Sequence, residues 1–297
     1  MYDAIIVGGG PAGLSAALIL GRCRRQVLLC DTGRPRNAAS RGLHGFLTRE
    51  NILPEELLRI GREQLKPYGV ELRCAEVVAA RCLHPHFEVD LSDGNTIPAR
   101  MLLLATGVVD QVPAIEGMRE LWGRGVFHCP YCDGWEMRDQ PLAAYGAGHA
   151  AAGLAVSLTT WSKDVVLCTD GPSQLSRMDR SWLRRHRIEV VDTQIARVEG
   201  SDGVLEGIVF ADGRFLPRRG VFLSTGQHQR SPLPEQLGCA FTEKGAVQTG
   251  RLDQTNVAGV YVAGDASHDV QLAIVAAAEG ARAAVAMNKA LQKEEQK

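Results

Sequence analysis

The feature that most constrains this chain is a glycine-rich turn close to its N-terminus, set between two short apolar runs. The apolar residues 5–7 lead into Gly8-Gly9-Gly10-Pro11-Ala12-Gly13, a run rich in alanine and leucine follows to Leu20, and residues 26–30 end at Asp31. A Rossmann fold that binds a dinucleotide has its elements in this order: a strand, a G-x-G-x-x-G turn, a helix, a second strand and an acid at its end. The sequence therefore predicts an α/β domain with a dinucleotide site at this turn.

The glycines and the acid each have a physical role in that prediction. Gly8 permits the tight turn, Gly10 lets the backbone approach a pyrophosphate, and Gly13 allows close packing of the helix on the strand. Asp31 lies 18 residues after Gly13, close to the roughly 20 expected of an acid that hydrogen-bonds a ribose 2′-OH. We expect this segment to bind the cofactor.

A second turn of the same kind occurs in the middle of the chain. Gly146, Gly148 and Ala151 satisfy G-x-G-x-x-A between the apolar residues 142–145 and 165–168, and Asp170 follows Gly148 by 22 residues. A carboxylate there hydrogen-bonds a ribose 2′-OH but repels a 2′-phosphate, and no arginine adjoins it in the sequence. We expect NADPH to be disfavoured and NADH to be preferred if this turn binds a nicotinamide nucleotide. The alternative is a nucleotide fold that has lost its nucleotide.

The chain also repeats itself outside the two turns. Residues 92–107 align without gaps to residues 211–226, and each copy predicts a hairpin with Asp-Gly at the turn and a returning apolar strand that stops at Thr-Gly. Near the C-terminus, residues 260–265 predict a buried strand ending in Gly264-Asp265. A small-residue helix from Leu272 to Met287 should follow, with a frayed, charged tail after Lys289.

Composition and charge exclude several classes of protein. A chain of 297 residues has room for about two domains. Lys and Arg number 33 against 34 Asp and Glu, so there is no basic excess to attract nucleic acid. No run approaches the 18 or so apolar residues of a membrane span, and we expect no leader, since the N-terminus offers no basic segment followed by a cleavable apolar stretch. We expect a cytoplasmic protein with neither nucleic acid nor membrane as its partner.

A pair of cysteines lies between the two glycine-rich turns. Cys129-Pro130-Tyr131-Cys132-Asp133 can close a small disulfide ring whose redox poise depends on the residues between the thiols. The other six of the eight cysteines provide no second pair at metal-ligand spacing, so we expect no metal site. The pair is the candidate redox centre.

Together these motifs resemble those of the low-molecular-weight thioredoxin reductases, in that family's order and over nearly the whole chain. The matching segments are G-G-G-P-A-G at Gly8, A-T-G at Ala105, C-P-Y-C-D-G at Cys129, G-A-G-H-A-A at Gly146 and A-G-D at Ala263. The resemblance implies an α/β fold of two Rossmann-like dinucleotide-binding domains, each three-layered, the second inserted into the first. It assigns residues 1–112 and 230–297 to an FAD domain and residues 113–229 to an NAD(P)-type domain that carries the cysteine pair. It also implies a homodimer.

The resemblance further implies roles for particular residues. Cys132 should be the thiol nearest the flavin, Cys129 the one that exchanges with substrate, and Asp133 the acid that protonates a leaving thiolate. Asp265 should face the ribityl chain and phosphates of FAD. In the loop after Asp31, we expect Asn37 and His44 to face the flavin. The remaining predicted cofactor residues are Gly8, Gly10, Pro11, Ala12, Gly13, Ala105, Thr106, Gly107, Gly264, Gln271, Leu272 and Ala273.

Two departures from the family leave the electron partner open. The NADPH-using members have a histidine and arginines where this chain has Cys168-Thr169-Asp170, and an Arg-Gln pair where it has Gln271-Leu272. We expect an FAD-dependent oxidoreductase that acts on a thioredoxin-like protein or a small dithiol or disulfide, with ferredoxin as another donor. One alternative is a flavin-dependent dithiol oxidase that uses dioxygen, although Asp133 stands where such enzymes tend to have histidine. The other is a non-enzymatic redox sensor that binds a flavin or another nucleotide.

Overall fold

The computed structural model describes residues 1–267 and 270–296. Its contacts divide the chain into two compact units. The first comprises residues 1–38, 45–109 and 228 onward, and the second comprises residues 39–44 and 110–227. The chain thus leaves the first unit after residue 109 and returns to it at residue 228.

The strands of both units are short, and most are parallel. In chain order they are β1 (Tyr2–Val7), β2 (Val27–Asp31), β3 (Glu71–Cys74), β4 (Val77–Cys82), β5 (Phe87–Leu91), β6 (Thr96–Leu104), β7 (Val108–Asp110), β8 (Val126–Phe127), β9 (Leu142–Tyr145), β10 (Val165–Cys168), β11 (Glu189–Val191), β12 (Ile195–Ser201), β13 (Val204–Phe210), β14 (Phe215–Pro217), β15 (Gly220–Leu223), β16 (Gln227–Gln229) and β17 (Val260–Val262).

The helices vary from one turn to more than twenty residues. They are α1 (Pro11–Arg22), α2 (Pro54–Leu65), α3 (Pro130–Asp133), α4 (Gly148–Leu158), α5 (Arg177–Arg185), α6 (Leu233–Gln236) and α7 (Ala273–Glu295), with a 3₁₀ turn at Lys66–Tyr68. No helix within residues 1–267 and 270–296 combines the length and the apolar character that crossing a bilayer requires.

The first unit is built on a seven-stranded sheet with β1 at its centre. β1 pairs in parallel with β2 and with β6, so that Val7 lies opposite Cys30 on one side and Leu104 on the other. Alternate residues of β1 enter different cores, Ile6 on the face covered by α1 and α7 and Ile5 on the opposite face. A sheet buried on both faces explains why these strands are continuous apolar runs.

The second unit repeats this plan with a five-stranded parallel sheet. Its strand order is β11-β10-β9-β15-β8, and the glycine-rich turn again follows a central strand, β9. A separate antiparallel sheet, β12-β13-β14, packs into the same core. The predicted fold class, α/β with two Rossmann-like units, is confirmed.

The two predicted hairpins both form, but the second differs from the first. β5 and β6 are antiparallel, and β6 runs unbroken into the large sheet. In the second copy the returning strand is split, because β14 pairs with β13 while β15 joins the five-stranded sheet. Arg218 and Arg219 lie at the break: Arg218 is buried and pairs with Asp164 at 3.3 Å, and the Arg219 amide donates to the Pro141 carbonyl.

Two details depart from the sequence-based expectations. Residues 39–44 belong to the second unit, since Arg41 donates to the Asp202 carbonyl and Ala39 packs against Gly123. The predicted functional domains, 1–112 with 230–297 and 113–229, stay a prediction.

The expected frayed tail after Lys289 is wrong. Helix α7 continues to Glu295, because Glu294 pairs with Arg100 at 3.0 Å and Glu295 pairs with Arg25 at 2.5 Å.

Candidate active site

The first glycine-rich turn forms an open cradle at the carboxyl end of β1. Gly8 has φ +106°, and a Cβ on it would lie 2.2 Å from the Ala105 carbonyl oxygen. A Cβ on Gly13 would lie 1.8 Å from the Gly8 carbonyl oxygen, so both positions exclude any side chain. At Gly10, by contrast, no atom of the described residues lies within 4 Å of the Cβ position. Protein atoms therefore pack against the turn at Gly8 and Gly13, whereas the space next to Gly10 is open.

Two polar groups border this cradle. Asp31 ends β2, and its carboxyl lies against the turn, since a Cβ on Gly9 would lie 2.6 Å from the Asp31 Cγ. The Asp31 carboxylate accepts a hydrogen bond from Arg62 at 2.9 Å. Thr106, between Ala105 and Gly107 after β6, has a buried hydroxyl oxygen with no hydrogen-bond partner among residues 1–267 and 270–296. Because buried polar groups normally have partners, an unpaired hydroxyl beside an open cradle fits a site that a ligand completes.

The segment after β17 supplies a third side of the cradle. Arg36 donates from one nitrogen to Asp265 and to Gln271, both at 2.7 Å. The Gly264 amide donates to the buried Glu279 carboxylate at 2.8 Å, and Leu272 caps α7, which begins at Ala273. Arg36 and Glu279 were not among the predicted site residues. Glu279 stands out in the sequence only as an acid within a small-residue helix.

The register of the sheet explains why these groups meet. Val7, Cys30, Leu104 and Val262 are aligned across β1, β2, β6 and β17, so the turns that follow these strands share one edge of the sheet. Of the predicted cofactor residues, the glycine turn, Asp31, the Ala105-Thr106-Gly107 segment and Gly264-Asp265 lie at this edge. Asn37 is half-buried in the loop after β2, in the same unit.

The cysteine pair lies in the second unit at the start of α3. Cys129 and Cys132 form a disulfide with their Cα atoms 5.3 Å apart, and Cys129 caps the short helix. Tyr131, between them, is exposed and meets the ring of Trp161 edge-on, with centroids 5.6 Å apart. In the described part of the chain, no three histidine, cysteine or acidic side chains are grouped as a metal site would require.

Asp133 follows the disulfide directly and ends α3. Burial raises the pKa of its carboxyl from 3.8 to about 7; Glu136 adds to the rise, and His44 opposes it. The group is therefore partly protonated near neutral pH, where an ordinary aspartate is ionised. His44 belongs to the second unit, with Nδ1 3.6 Å from Glu136 Oε1. That His44 faces the flavin stays a prediction.

The second glycine-rich turn has the same register as the first, and by this register Asp170 lies one residue beyond the counterpart of Asp31. Its role toward a nicotinamide nucleotide stays a prediction. The Gly8 amide donates to the Cys30 carbonyl, and the Gly146 amide donates in the same way to Cys168. The counterpart of Asp31 is therefore Thr169, one residue before Asp170. Asp170 adopts φ +50°, and its carboxylate accepts hydrogen bonds from the Ile195 amide at 2.7 Å and from the Tyr145 hydroxyl at 3.1 Å.

The rest of this second turn is closed by its own loop. The Gly148 amide donates to the Ser173 carbonyl at 2.9 Å, and the Thr169 hydroxyl donates to the Gly171 carbonyl at 2.7 Å. Gly148 has φ +68°, whereas its counterpart Gly10 has φ −74°. The next side chain, His149, is 2.7 Å from the buried Asp179 carboxylate. Ala151 is buried behind the turn.

Known proteins match this chain over nearly its whole length. Residues 2–280 match the family model described as pyridine nucleotide-disulphide oxidoreductase. A probable thioredoxin reductase of Arthroderma benhamiae is 31% identical, over 99% of this chain and 81% of that protein. The crystal structure of HlmI superposes with a TM-score of 0.94 at 36% identity, covering 99% of this chain and 93% of that one. A putative thioredoxin reductase of Bacillus anthracis superposes with a TM-score of 0.93 at 33% identity, covering 99% and 100%. The chain therefore belongs to the pyridine nucleotide-disulphide oxidoreductase family and is a thioredoxin reductase-like disulfide oxidoreductase.

Proposed function

We propose that this enzyme passes electrons between a bound FAD and the Cys129/Cys132 pair, and from that pair to or from a thioredoxin-like protein or a small dithiol. The observation that carries the proposal is the disulfide followed directly by Asp133, an acid whose raised pKa leaves it partly protonated near neutral pH. A redox-active disulfide needs an acid of this kind to neutralise the thiolate that leaves when the bond breaks.

The residues of the first unit fit FAD, the flavin that the family implies. The open side of the turn at Gly10 fits a pyrophosphate, with Pro11, Ala12 and Gly13 opening the helix whose N-terminus faces it. Asp31 would accept from a ribose hydroxyl, the buried Thr106 hydroxyl would gain a partner, and Asp265 would face the ribityl chain beside Arg36. FAD, when bound, supplies a two-electron acceptor or donor. A homodimer stays a prediction from the resemblance, and a cytoplasmic location stays a prediction from the sequence.

The chain's own part in the reaction is thiol–disulfide exchange. A substrate thiolate attacks the Cys129 sulfur, the bond between Cys129 and Cys132 breaks, and Cys132 leaves with the electron pair. The second substrate thiolate then attacks the mixed disulfide and displaces Cys129, so the substrate dithiol becomes a disulfide and the pair becomes two thiols. Asp133 provides a proton for the leaving thiolate, and the same steps in reverse reduce a disulfide substrate.

A second candidate, a dithiol oxidase with dioxygen as acceptor, is favoured by the closed turn of the second unit. The Gly148 amide and the Thr169 hydroxyl are bonded within the chain, and Asp170 lies one residue beyond the ribose position. These groups do not fit a nicotinamide nucleotide, so NADPH, and NADH with it, should be a poor reductant. The electron partner would then be dioxygen as acceptor or ferredoxin as donor.

An anaerobic titration tests both proposals. The FAD-loaded protein is mixed in turn with NADPH, NADH, reduced ferredoxin and dithiothreitol, flavin absorbance is followed, and air is then readmitted. We expect bleaching by the dithiol, with peroxide formed in air, and none by NADPH or NADH. Rapid bleaching by NADPH would overturn the oxidase and restore an ordinary reductase. Bleaching by ferredoxin but not by the dithiol would overturn the oxidase as well.

A matched pair of variants tests the role of the cysteines. Cys129→Ser with Cys132→Ser should abolish dithiol-dependent bleaching, whereas Cys74→Ser with Cys82→Ser, at two exposed free thiols of the first unit, should leave it unchanged. Turnover that survives in the first double variant would refute the assignment. A protein that cannot be loaded with FAD would refute the enzyme and favour the redox sensor.

A further inference from the structure

The segment around β17 carries acidic residues and no lysine or arginine of its own. Between Arg251 and Arg282 the sequence contains four acids and neither of the two strong bases. One of these acids, Asp265, directly follows Gly264, and a Cβ on Gly264 would lie 3.3 Å from the Cβ of Ala12 at the start of α1. Asp265 therefore brings a negative charge next to the glycine cradle, from a stretch of chain that has no strong base to neutralise it.

Arg36 supplies a positive charge to this acid from the loop after β2. Its Nη1 donates to Asp265 Oδ2 and to Gln271 Oε1, both at 2.7 Å, although Asp265 lies 229 residues further along the chain. The side chains of Arg36 and Asp265 are 13% and 20% exposed. Water and salt screen a pair at this depth less than they screen a pair on the surface, so the two charges act strongly on each other.

The other acid at this edge of the sheet, Asp31, has the same arrangement. Arg62, on α2, donates to its carboxylate at 2.9 Å. The first glycine-rich turn and the residues before it, 1–21, contain no lysine or arginine, and neither does the segment 105–107. Both edge acids are thus paired with an arginine from an element outside the turns. Arg62 is 37% exposed, so the pair made by Arg36 is the more buried and should have the larger effect.

We propose that Arg36 is a positioning residue that neutralises Asp265, so that the cradle can bind a cofactor with a negatively charged pyrophosphate. The inference rests on the FAD site of the proposed function. Like charges repel each other more strongly in a partly buried site than in water, so an unpaired carboxylate at Asp265 would oppose the binding of that pyrophosphate. Paired with Arg36, the carboxylate still accepts hydrogen bonds from hydroxyl groups, and the bond to Gln271 fixes the guanidinium in place.

Two other roles for Arg36 make a different prediction. An arginine that contacts the cofactor phosphates directly, or one that only holds the loop after β2 in place, contributes to FAD binding whatever the charge of Asp265. An arginine that neutralises Asp265 contributes only while Asp265 is a carboxylate. Removing the two charges singly and together therefore separates the proposal from a direct contact and from a structural role.

The experiment measures the dissociation constant of FAD by quenching of flavin fluorescence, on the full chain freed of FAD. Arg36→Met should weaken FAD binding about tenfold or more. In the Asp265→Asn background, where an oxygen acceptor remains without the charge, the same substitution should weaken binding by less than about twofold. Arg59→Met is the matched control that should leave the constant unchanged, because Arg59 pairs with Glu56 at 2.7 Å on the exposed surface of α2.

The outcomes distinguish this inference from the proposed function. No loss of affinity in Arg36→Met, or an equal loss in both backgrounds, overturns the inference even when the dithiol bleaches the flavin normally. Absence of cysteine-dependent bleaching overturns the proposed electron transfer, while the binding constants still test Arg36; a wild-type protein that binds no FAD overturns both. If Arg36→Met does not fold, Arg36→Lys decides: one nitrogen makes both bonds, so an ammonium should keep FAD affinity within about threefold, and a tenfold loss overturns the inference.

Discussion

At the scale of single residues, burial divides the cysteines into reactive and inert ones. Loss of solvation raises the pKa of Cys30 to about 11 and that of Cys168 to about 12. Thiolate is the reactive form, so these two thiols are almost entirely unreactive at pH 8. Cys30 is the last residue but one of β2 and Cys168 ends β10, and both pack as small apolar side chains.

We therefore expect a thiol reagent at pH 8 to label the unreduced native protein rapidly at the exposed Cys23, Cys74 and Cys82. Prior reduction should add Cys129 and Cys132. Mass spectrometry of the labelled peptides measures the sites, and unfolding in guanidinium chloride before labelling is the control that exposes every thiol. Fast labelling of Cys30 or Cys168 in the native protein would contradict this division.

Asp133 gives the second prediction at this scale. Because its pKa is raised to about 7, the fraction that holds a proton falls as pH rises through neutrality, and the rate of the acid-dependent exchange step should fall with it. Asp133→Asn should remove this limb of the pH profile and slow the step about 10²- to 10⁴-fold at pH 6. Stopped-flow flavin absorbance measures it.

Asp139→Asn is the matched control, since Asp139 is exposed in the same segment and its φ of +60° suits asparagine. If the rate still falls with rising pH in Asp133→Asn, another residue is the acid.

The motif predicted the acid from sequence, but not its raised pKa. That shift comes from burial and is opposed by His44, which lies far from Asp133 in the chain.

At the scale of elements, helices α1 and α7 approach each other closely at Gly280. A Cβ on Gly280 in α7 would lie 1.9 Å from the Ala12 carbonyl oxygen, at the start of α1. Gly280→Ala should therefore force the helices apart, lower the free energy of unfolding by about 1–3 kcal/mol and weaken flavin retention. Urea unfolding and flavin release on desalting measure the two effects.

Gly153 provides the comparison for that substitution. It lies inside α4, and no atom of the described residues is within 4 Å of its Cβ position. Gly153→Ala should stabilise the protein by roughly 0.5–1 kcal/mol, because alanine is the better helix former. If both substitutions had the same sign, the contact at Ala12 would not be the cause.

Elements were predictable from sequence where the pattern is local. Both glycine-rich turns follow a central parallel strand, and both Asp-Gly hairpins form. The sequence did not predict that Asp170 lies one residue beyond the counterpart of Asp31, because the end of a strand shifts by one residue without any local signal; the amide of Gly146 bonded to Cys168 shows the register. The break between β14 and β15 depends on the buried Arg218, which the repeat gives no means to predict.

At the scale of the whole molecule, each unit has cores of its own. Two apolar clusters of the first unit cover the two faces of the large sheet, and two others belong wholly to the second unit. The internal repeat predicts this duplication. It does not predict that residues 39–44 join the second unit, because the packing of six residues against a distant segment leaves no periodicity in the sequence.

Separate cores predict two unfolding transitions in the protein freed of FAD. Only the unit with the Gly8–Gly13 cradle should be stabilised when FAD is restored. At a free concentration 100 times the dissociation constant the gain is about 2.7 kcal/mol, or roughly 5–10 °C in one transition. Differential scanning calorimetry measures both midpoints, and Gly13→Ala, whose Cβ would meet the Gly8 carbonyl, is the control that should lose the shift. A single transition, or an equal shift of both, would show that the two units unfold as one and that the cofactor stabilises the whole chain.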